Sequence, residues 1–330
     1  MILPLIILLH SFQLASHTQD SLKVFHINGF AQGTTYATTY YAHEKMIDPS
    51  EVDALLLQID SSLSLYKPYS LITQFNHHQR SVQSDQHLHK VVQKAIEVST
   101  STHHAFDITC KPLIELWNKQ LSNNKKPSEQ QLIQIKNIIG SQHLQLAHDS
   151  LIKDAPLVQI DCDGIAQGYS VDQLAELFLE KNIQDFIIEI GGEVYSNGHP
   201  PGKSNWDVAI HAYASEPNEH SSLVVKLSNY AITTSGRLSK YTQMNAEYFS
   251  HVFNPTTGQP INNNIVAVTV LAKDAMTADA LDNAFMVMGI DQSMQWLANH
   301  PDIGVLFQFM DMNGNIQRKS NIFFQQYLTH

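Results

Sequence analysis

The segment "PLVQIDCDGIAQGYSVDQLAELFLEKNIQDFIIEIGGEVYSNG", residues 156–198, constrains this chain more than any other. It reads as strand, glycine loop, helix, strand and Gly-Gly turn. That is an α/β unit whose loop lies at the carboxyl end of a strand, where ligands collect. A glycine loop entering a helix leaves N–H groups unpaired and presents the positive end of the helix dipole, so Gly164 to Gly168 can hold an anion. The spacing G-x-x-x-G fits neither a Walker loop nor a dinucleotide fingerprint. A tight structural turn is therefore the competing reading. The loop carries no Lys or Arg, and Asp161 and Asp163 repel a bare phosphate. They suit a ligand if Asp161 serves another part of it, or if a cation neutralises the site.

The rest of the chain reads as an α+β protein with mixed sheets flanked by helices. "KVFHINGFAQGTTYATTYYA" is a strand pair punctuated by Gly29 and Gly33. "PSEVDALLLQIDSSLSLY" is a helix capped by Ser50, with Val52, Leu55, Leu56 and Ile59 on one face. "DQHLHKVVQKAIEVSTST" is a second helix, and "AFDITCKPLIELWNKQ" turns helical after Pro112. Ser128 and Gln131 stand at capping-box spacing, with Gly140 as the stop. The strands "WDVAIHAYA", "SLVVKLSNYAITTSG", "EYFSHVFNP" and "IVAVTVLA" follow, then a helix over "DAMTADALDNAFMVMG" and a terminal hairpin turning at Asn313–Gly314.

Length and charge bound the function. The 330 residues suit one large domain or two modest ones. A net charge of −11 argues against a nucleic-acid surface, which needs clustered basic residues. The 18 His show no metal-ligand spacing, and His77–His78, His87/His89 and His103–His104 read as surface residues. Cys110 and Cys162 are too few for a disulfide framework and read as buried thiols. The apolar run Ile2–Leu9 is too short to span a bilayer but fits a signal-peptide core, with "LAS" at 14–16 for cleavage, so residues 1–16 are expected to be a leader. No Lys or Arg precedes Lys23, and His17 stands where a lipoprotein box requires Cys.

Two further segments can carry chemistry. In "TADALDNA", Asp279 and Asn283 share one helix face, with Asp282 beside them. Such oxygens suit a hard cation such as Mg²⁺; a solvated helix face is the alternative. In "SHVFNPTTGQP", His251 precedes a turn and can donate to a phosphate or manage a proton, or serve structure alone.

Together and in this order, these pieces resemble the ApbE family of FAD:protein FMN transferases, from about residue 24 to the last hairpin. The pieces are "GFAQGTTYATTY", "SLSLYKPYSLITQFN", "AFDITCKPLIELW", "DGIAQGYSVDQLA", "IIEIGGEVYSNG", "TTSGR", "SHVFNPTTGQP" and "ADALDNAFMVMG". The resemblance implies an ApbE/T-fold-like α+β domain over residues 22–330, single or in two lobes around an FAD cleft. It implies Mg²⁺-dependent transfer of FMN from FAD to a Thr or Ser hydroxyl of a target flavoprotein, typically a subunit of a membrane redox complex, with release of AMP. Two weaker expectations are an FAD pyrophosphatase and an impaired FAD-binding protein. The expected location is the periplasmic side of a bacterial inner membrane, membrane-associated, with no nucleic-acid partner.

Carried over position by position, the metal ligands fall on the Gly164 carbonyl, Asp279, Asp282 and Asn283. The flavin-nucleotide contacts fall on Gln32, Tyr66, Ala105, Phe106, Asp107, Asp161, Gln167, Val252 and Phe253. His251 and Asp279 take the catalytic roles. The chain departs from the family pattern at Asn283, where Thr or Ser is usual, and at Gln167, where Lys is frequent. It also departs at Asp163, at Asn254 and at Arg237, which is placed to replace the missing Lys if it reaches the pyrophosphate.

Overall fold

The computed structural model describes residues 21–329 except 78–79, 214–220, 237–240 and 245–246. The expected leader 1–16, His78 and Arg237 lie outside the described residues. Strands β1 (Lys23–Ala31) and β2 (Thr34–Ala42) form the opening hairpin. They are followed by α1 (Pro49–Leu63), α2 (Leu71–His77), β3 (Ser81–Gln83), α3 (Gln86–Ser101), α4 (Lys111–Ser122) and α5 (Glu129–Lys136). Next come β4 (Leu144–Ala147), β5 (Ser150–Lys153), α6 (Ala166–Glu180), β6 (Asp185–Ile190), β7 (Glu193–Asn197), β8 (Trp206–Ala212), β9 (Ser221–Leu227) and β10 (Tyr230–Gly236). The last third holds β11 (Tyr241–Met244), β12 (Glu247–Ser250), β13 (Phe253–Asn254), β14 (Gln259–Pro260), β15 (Ile265–Ala272), α7 (Ala275–Leu297), β16 (Gly304–Met310), β17 (Ile316–Ser320) and α8 (Ile322–Gln325).

One sheet organises the molecule in the order β1-β2-β6-β7-β10-β15-β16-β17. Every neighbouring pair in it is antiparallel, so the class is α+β, without the mixed pairing expected from the sequence. All eight residues of β15 are buried, because the sheet is covered on both faces. Val268 and Val270 belong to the core beneath α7, with Leu281 and Phe285. Leu271 belongs to a second core with Ile210, Val225 and Phe324 from β8, β9 and α8. The Gly-Gly turn joins β6 to β7 with positive φ at both residues, 63° and 111°, a conformation other residues resist.

Three local expectations change. The stretch 158–162 is not a strand, although its residues favour one. Its main chain is satisfied elsewhere: Ile160 N–H donates to Asn76 Oδ1 at 2.8 Å, Asn76 Nδ2 donates to Ile160 O at 2.9 Å, and Asp161 N–H donates to Ile108 O at 2.7 Å. The cap of α1 is Asp48 rather than Ser50, because Glu51 completes a capping box by accepting from Asp48 N–H at 3.1 Å. His87 is buried rather than exposed, its Nδ1 lying 2.7 Å from the Tyr169 hydroxyl. Cys110 and Cys162 are buried and free. Among the described residues no helix is long and apolar enough to cross a membrane.

Candidate functional site

The loop that opens α6 and the first two turns of α7 meet in a regular register. Gly164 O lies 3.5 Å from Asn283 Nδ2, and Gly168 N–H donates to Asp279 Oδ2 at 3.0 Å. A further turn along, Asp172 accepts from Ala275 N–H at 2.7 Å and Met276 N–H at 2.9 Å. The steps are four residues on each segment and run in opposite directions, as contacts along one helix face must. Gly168 permits the approach: a Cβ there would overlap the Ala275 carbonyl and come within 2.9 Å of Asp279 Cβ.

At one end of this register, three oxygens converge. Asn283 Nδ2 lies 3.5 Å from Gly164 O, 3.0 Å from Asp279 O and 3.1 Å from Asp282 Oδ1, while Ser235 Oγ lies 3.4 Å from Asn283 Oδ1. Among the described residues no three His, Cys, Asp or Glu side chains gather to hold a metal. A cation here must use main-chain carbonyls as well as carboxylates. The donors are all oxygens, which suits Mg²⁺, and turning the Asn283 amide over puts its oxygen where its nitrogen stands. The residues present therefore fit such an ion.

Electrostatics point the same way. Burial pushes the Asp279 carboxyl up to about 7, the Asp163 charge adds to this, and the Gly168 N–H opposes it. Burial also holds Asp282 well above the usual carboxylate range, with Asp279 and Glu193 reinforcing it and the Thr233 hydroxyl opposing. Asp161 is raised by burial as well. Carboxyls raised above their unfolded values give stability below those values and lose it as pH rises through the folded ones. Without divalent cation, Tm is therefore expected to fall between pH 5 and pH 8. His87, whose pKa burial lowers, opposes this only toward the acid end. Excess Mg²⁺ should shrink the fall, since it binds the deprotonated carboxylates. Thermal melts in chelator and in Mg²⁺ across that range check both points.

Asp163, Ala166 and Gln167 at the α6 N-terminus also line a cleft of about 1020 Å³, just above the roughly 300–1,000 Å³ usual for small-molecule sites. Gln32, Tyr66 and Gln167 line it, together with Phe30, Leu57 and Asp163. Tyr66 and Phe30 are 84% and 72% exposed, offering open ring faces to a planar ligand. Gln32 sits in the β1–β2 turn at φ 54°, its Nε2 donating to Ser170 Oγ at 2.7 Å. Its Oε1 is buried without a partner, an acceptor that a ligand donor would satisfy. Tyr36 donates to Asp53 Oδ1 at 2.6 Å in the cleft wall.

The remaining candidates divide by what their side chains already do. Phe106 is buried, its ring 3.4 Å from where a Cβ on Gly164 would stand. Ala105 donates its N–H to Thr102 O at 3.1 Å. The Asp107 carboxylate, expected to meet the ligand, is engaged internally. It accepts from Thr109 N–H at 2.8 Å, Thr109 Oγ1 at 2.6 Å, Ser141 N–H at 2.8 Å and Ser99 Oγ at 3.3 Å. Asp161 accepts from Asp163 N–H at 2.9 Å and so shapes the loop. Phe253 packs on Trp117, ring centres 6.1 Å apart, and Val252 packs against the main core. His251, between them and β12, is exposed. Phe30, Leu57 and Asp163 were missed as lining residues; the aromatic in "GFAQG" was the available signal for the first.

The architecture has parallels among known proteins. The FAD:protein FMN transferase of Vibrio cholerae is 33% identical over 298 residues, covering 88% of this chain and 89% of its own. The enzyme of the same name from Haemophilus influenzae is 29% identical, with 92% of both chains covered. Among solved structures, the flavin transferase ApbE from Vibrio cholerae superposes with a TM-score of 0.82 at 30% identity, covering 93% of this chain and 100% of that one. The apo flavinyl transferase of Pseudomonas stutzeri gives 0.82 at 28% identity, covering 93% and 97%. The model of the ApbE family matches residues 32–307, from the glutamine of the first hairpin into β16. With a family model matching most of its length and a relative 33% identical over 88% of it, the chain belongs to the ApbE family.

Proposed function

We propose that the chain transfers FMN from FAD to a Thr or Ser hydroxyl of a partner flavoprotein and releases AMP. The observation that carries this is a large cleft lined by Asp163, Ala166 and Gln167, next in sequence to the Gly164 carbonyl of the oxygen cluster. The likeness to two proteins named FAD:protein FMN transferase supports the same reaction. In this reading the acceptor oxygen bonds to the FMN phosphorus, the bond to AMP breaks, and the hydroxyl proton passes to a base.

The chain's own residues divide that work. Phe30 and Tyr66 hold the flat part of FAD at the cleft mouth, and Gln32 Oε1 accepts a donor deeper in. Gln167, beside the Gly-Gly turn, orients the phosphate side with an uncharged donor. Gly164 O, Asp279, Asp282 and Asn283 would hold Mg²⁺, which would supply the charge neutralisation that a loop without lysine lacks. His251, exposed to an incoming protein, takes the hydroxyl proton or steadies the phosphate, with Asp279 as the second candidate base. The apolar N-terminal run supports export, with the reaction on the outer face of an inner membrane and the acceptor a subunit of a membrane redox complex.

One observation favours a second reading, a flavin-binding protein without turnover. In it, the Asn283 nitrogen stands permanently in place of the cation. Asn283→Thr separates the two. If the natural chain releases AMP from FAD only with both Mg²⁺ and a Thr-bearing acceptor, Asn283 is a working ligand. If only the variant turns over, the binding-protein reading stands. AMP release without acceptor, faster than labelling, marks hydrolysis instead.

A further inference from the structure

The register between the α6 segment and α7 has three rungs, and only two of them touch the oxygen cluster: Gly164 with Asn283, and Gly168 with Asp279. The third, Asp172 with Ala275 and Met276, lies one turn beyond and belongs to no site described above. Asp172 bonds the first two N–H groups of α7, while the Thr277 N–H goes to Asp274, the helix's own cap, at 2.7 Å. A carboxylate so placed satisfies donors that the helix cannot and opposes its dipole. Its main consequence is placement, because Asp172 comes from a different helix, whereas Asp274 caps α7 from within. A second hydrogen bond between the two helices is that of Gly168 N–H to Asp279.

We propose that Asp172 is a positioning residue: it fixes α7 against α6 so that Asp279, Asp282 and Asn283 face the Gly164 carbonyl in cation-binding register. The proposal rests on the cation reading above and extends it to a residue that touches neither cation nor flavin. An amide at this position accepts one N–H and turns its own donor toward the other, so one of the two tethers is lost at nearly constant volume. Rungs spaced at single turns tilt together when one end is released.

The test compares Asp172→Asn with Asp274→Asn, each without flavin, titrated with Mn²⁺ and followed by the paramagnetic signal of the free ion. Both variants weaken the capping of α7, so Asp274→Asn controls for that loss. Only Asp172→Asn should raise the half-saturating Mn²⁺ concentration, by about tenfold or more, the range seen when the support behind metal ligands is removed. Its kcat at saturating metal should stay within about threefold, placing the loss in metal binding rather than the chemical step. If Asp172→Asn does not fold, Asp172→Glu keeps both N–H bonds but moves α7 by a methylene, and should fold with weakened Mn²⁺ uptake. Unchanged Mn²⁺ affinity in the folded variant, or equal weakening by Asp274→Asn, overturns the proposal. A natural chain that takes up no Mn²⁺ overturns the cation reading beneath it.

Discussion

Asp279→Asn is expected to lower Mg²⁺-dependent transfer by about a thousandfold while raising Tm in chelator. The two effects have one cause. Asp279 is buried beside Asp282, with burial pushing its carboxyl up to about 7, so its negative charge costs stability whenever no cation is present. An isosteric amide removes the charge and keeps an acceptor for the Gly168 N–H. The same change deletes a ligand whose cation is worth several kcal/mol of charge stabilisation, about a factor of ten for each 1.4 kcal/mol. The cleft at Gln32 and Tyr66 lies across the α6 N-terminus, so FAD affinity without metal should stay within a few-fold. Flavin-fluorescence titration, a melt in chelator and single-turnover labelling check the three parts. A variant that loses activity together with stability would mean that Asp279 is structural.

Gly168→Ala is expected to damage both stability and transfer. The added carbon overlaps the Ala275 carbonyl and crowds Asp279 Cβ, and a main-chain carbonyl cannot swing aside as the far end of a side chain can. Overpacking of this kind costs about 1–3 kcal/mol and sometimes more, a Tm loss of several degrees in a chain this size. It also separates the middle rung of the register, so transfer should fall further than stability alone explains. Activity measured well below the variant's Tm, against Mg²⁺ concentration, distinguishes the two: half-saturation should rise. A variant with normal metal dependence would show that α6 and α7 need not touch at this point.

Much of this was written locally in the chain. The Asn313–Gly314 turn, the Ser128 cap with Gln131 and the opening hairpin each depend on residues within a few positions, and each is found where local chemistry puts it. The shared face of Asp279 and Asn283 likewise follows from helical spacing. What local patterning hid are the long-range partners. Asn76, 84 residues away, takes the hydrogen bonds of Ile160 that a neighbouring strand would have taken. Asp107 looks like a ligand-facing carboxylate until Ser141 and Thr109 fill its oxygens. Glu51 moves the α1 cap two residues upstream. Asp172 reads as one polar position on an amphipathic helix, and only the fold places it at the end of another helix, 103 residues on.

In the proposed reaction, the oxygens of Gly164, Asp279, Asp282 and Asn283 hold the cation required for moving FMN onto a protein hydroxyl. The most direct measurement incubates the chain with FAD and a Thr-bearing acceptor domain across a Mg²⁺ titration, reading acceptor-bound flavin fluorescence and AMP together. The account predicts one AMP per labelled acceptor, saturable dependence on Mg²⁺, no labelling in chelator, and a curve for Asp279→Asn near zero throughout. Labelling that persists in chelator, or that Asp279→Asn leaves intact, would contradict it.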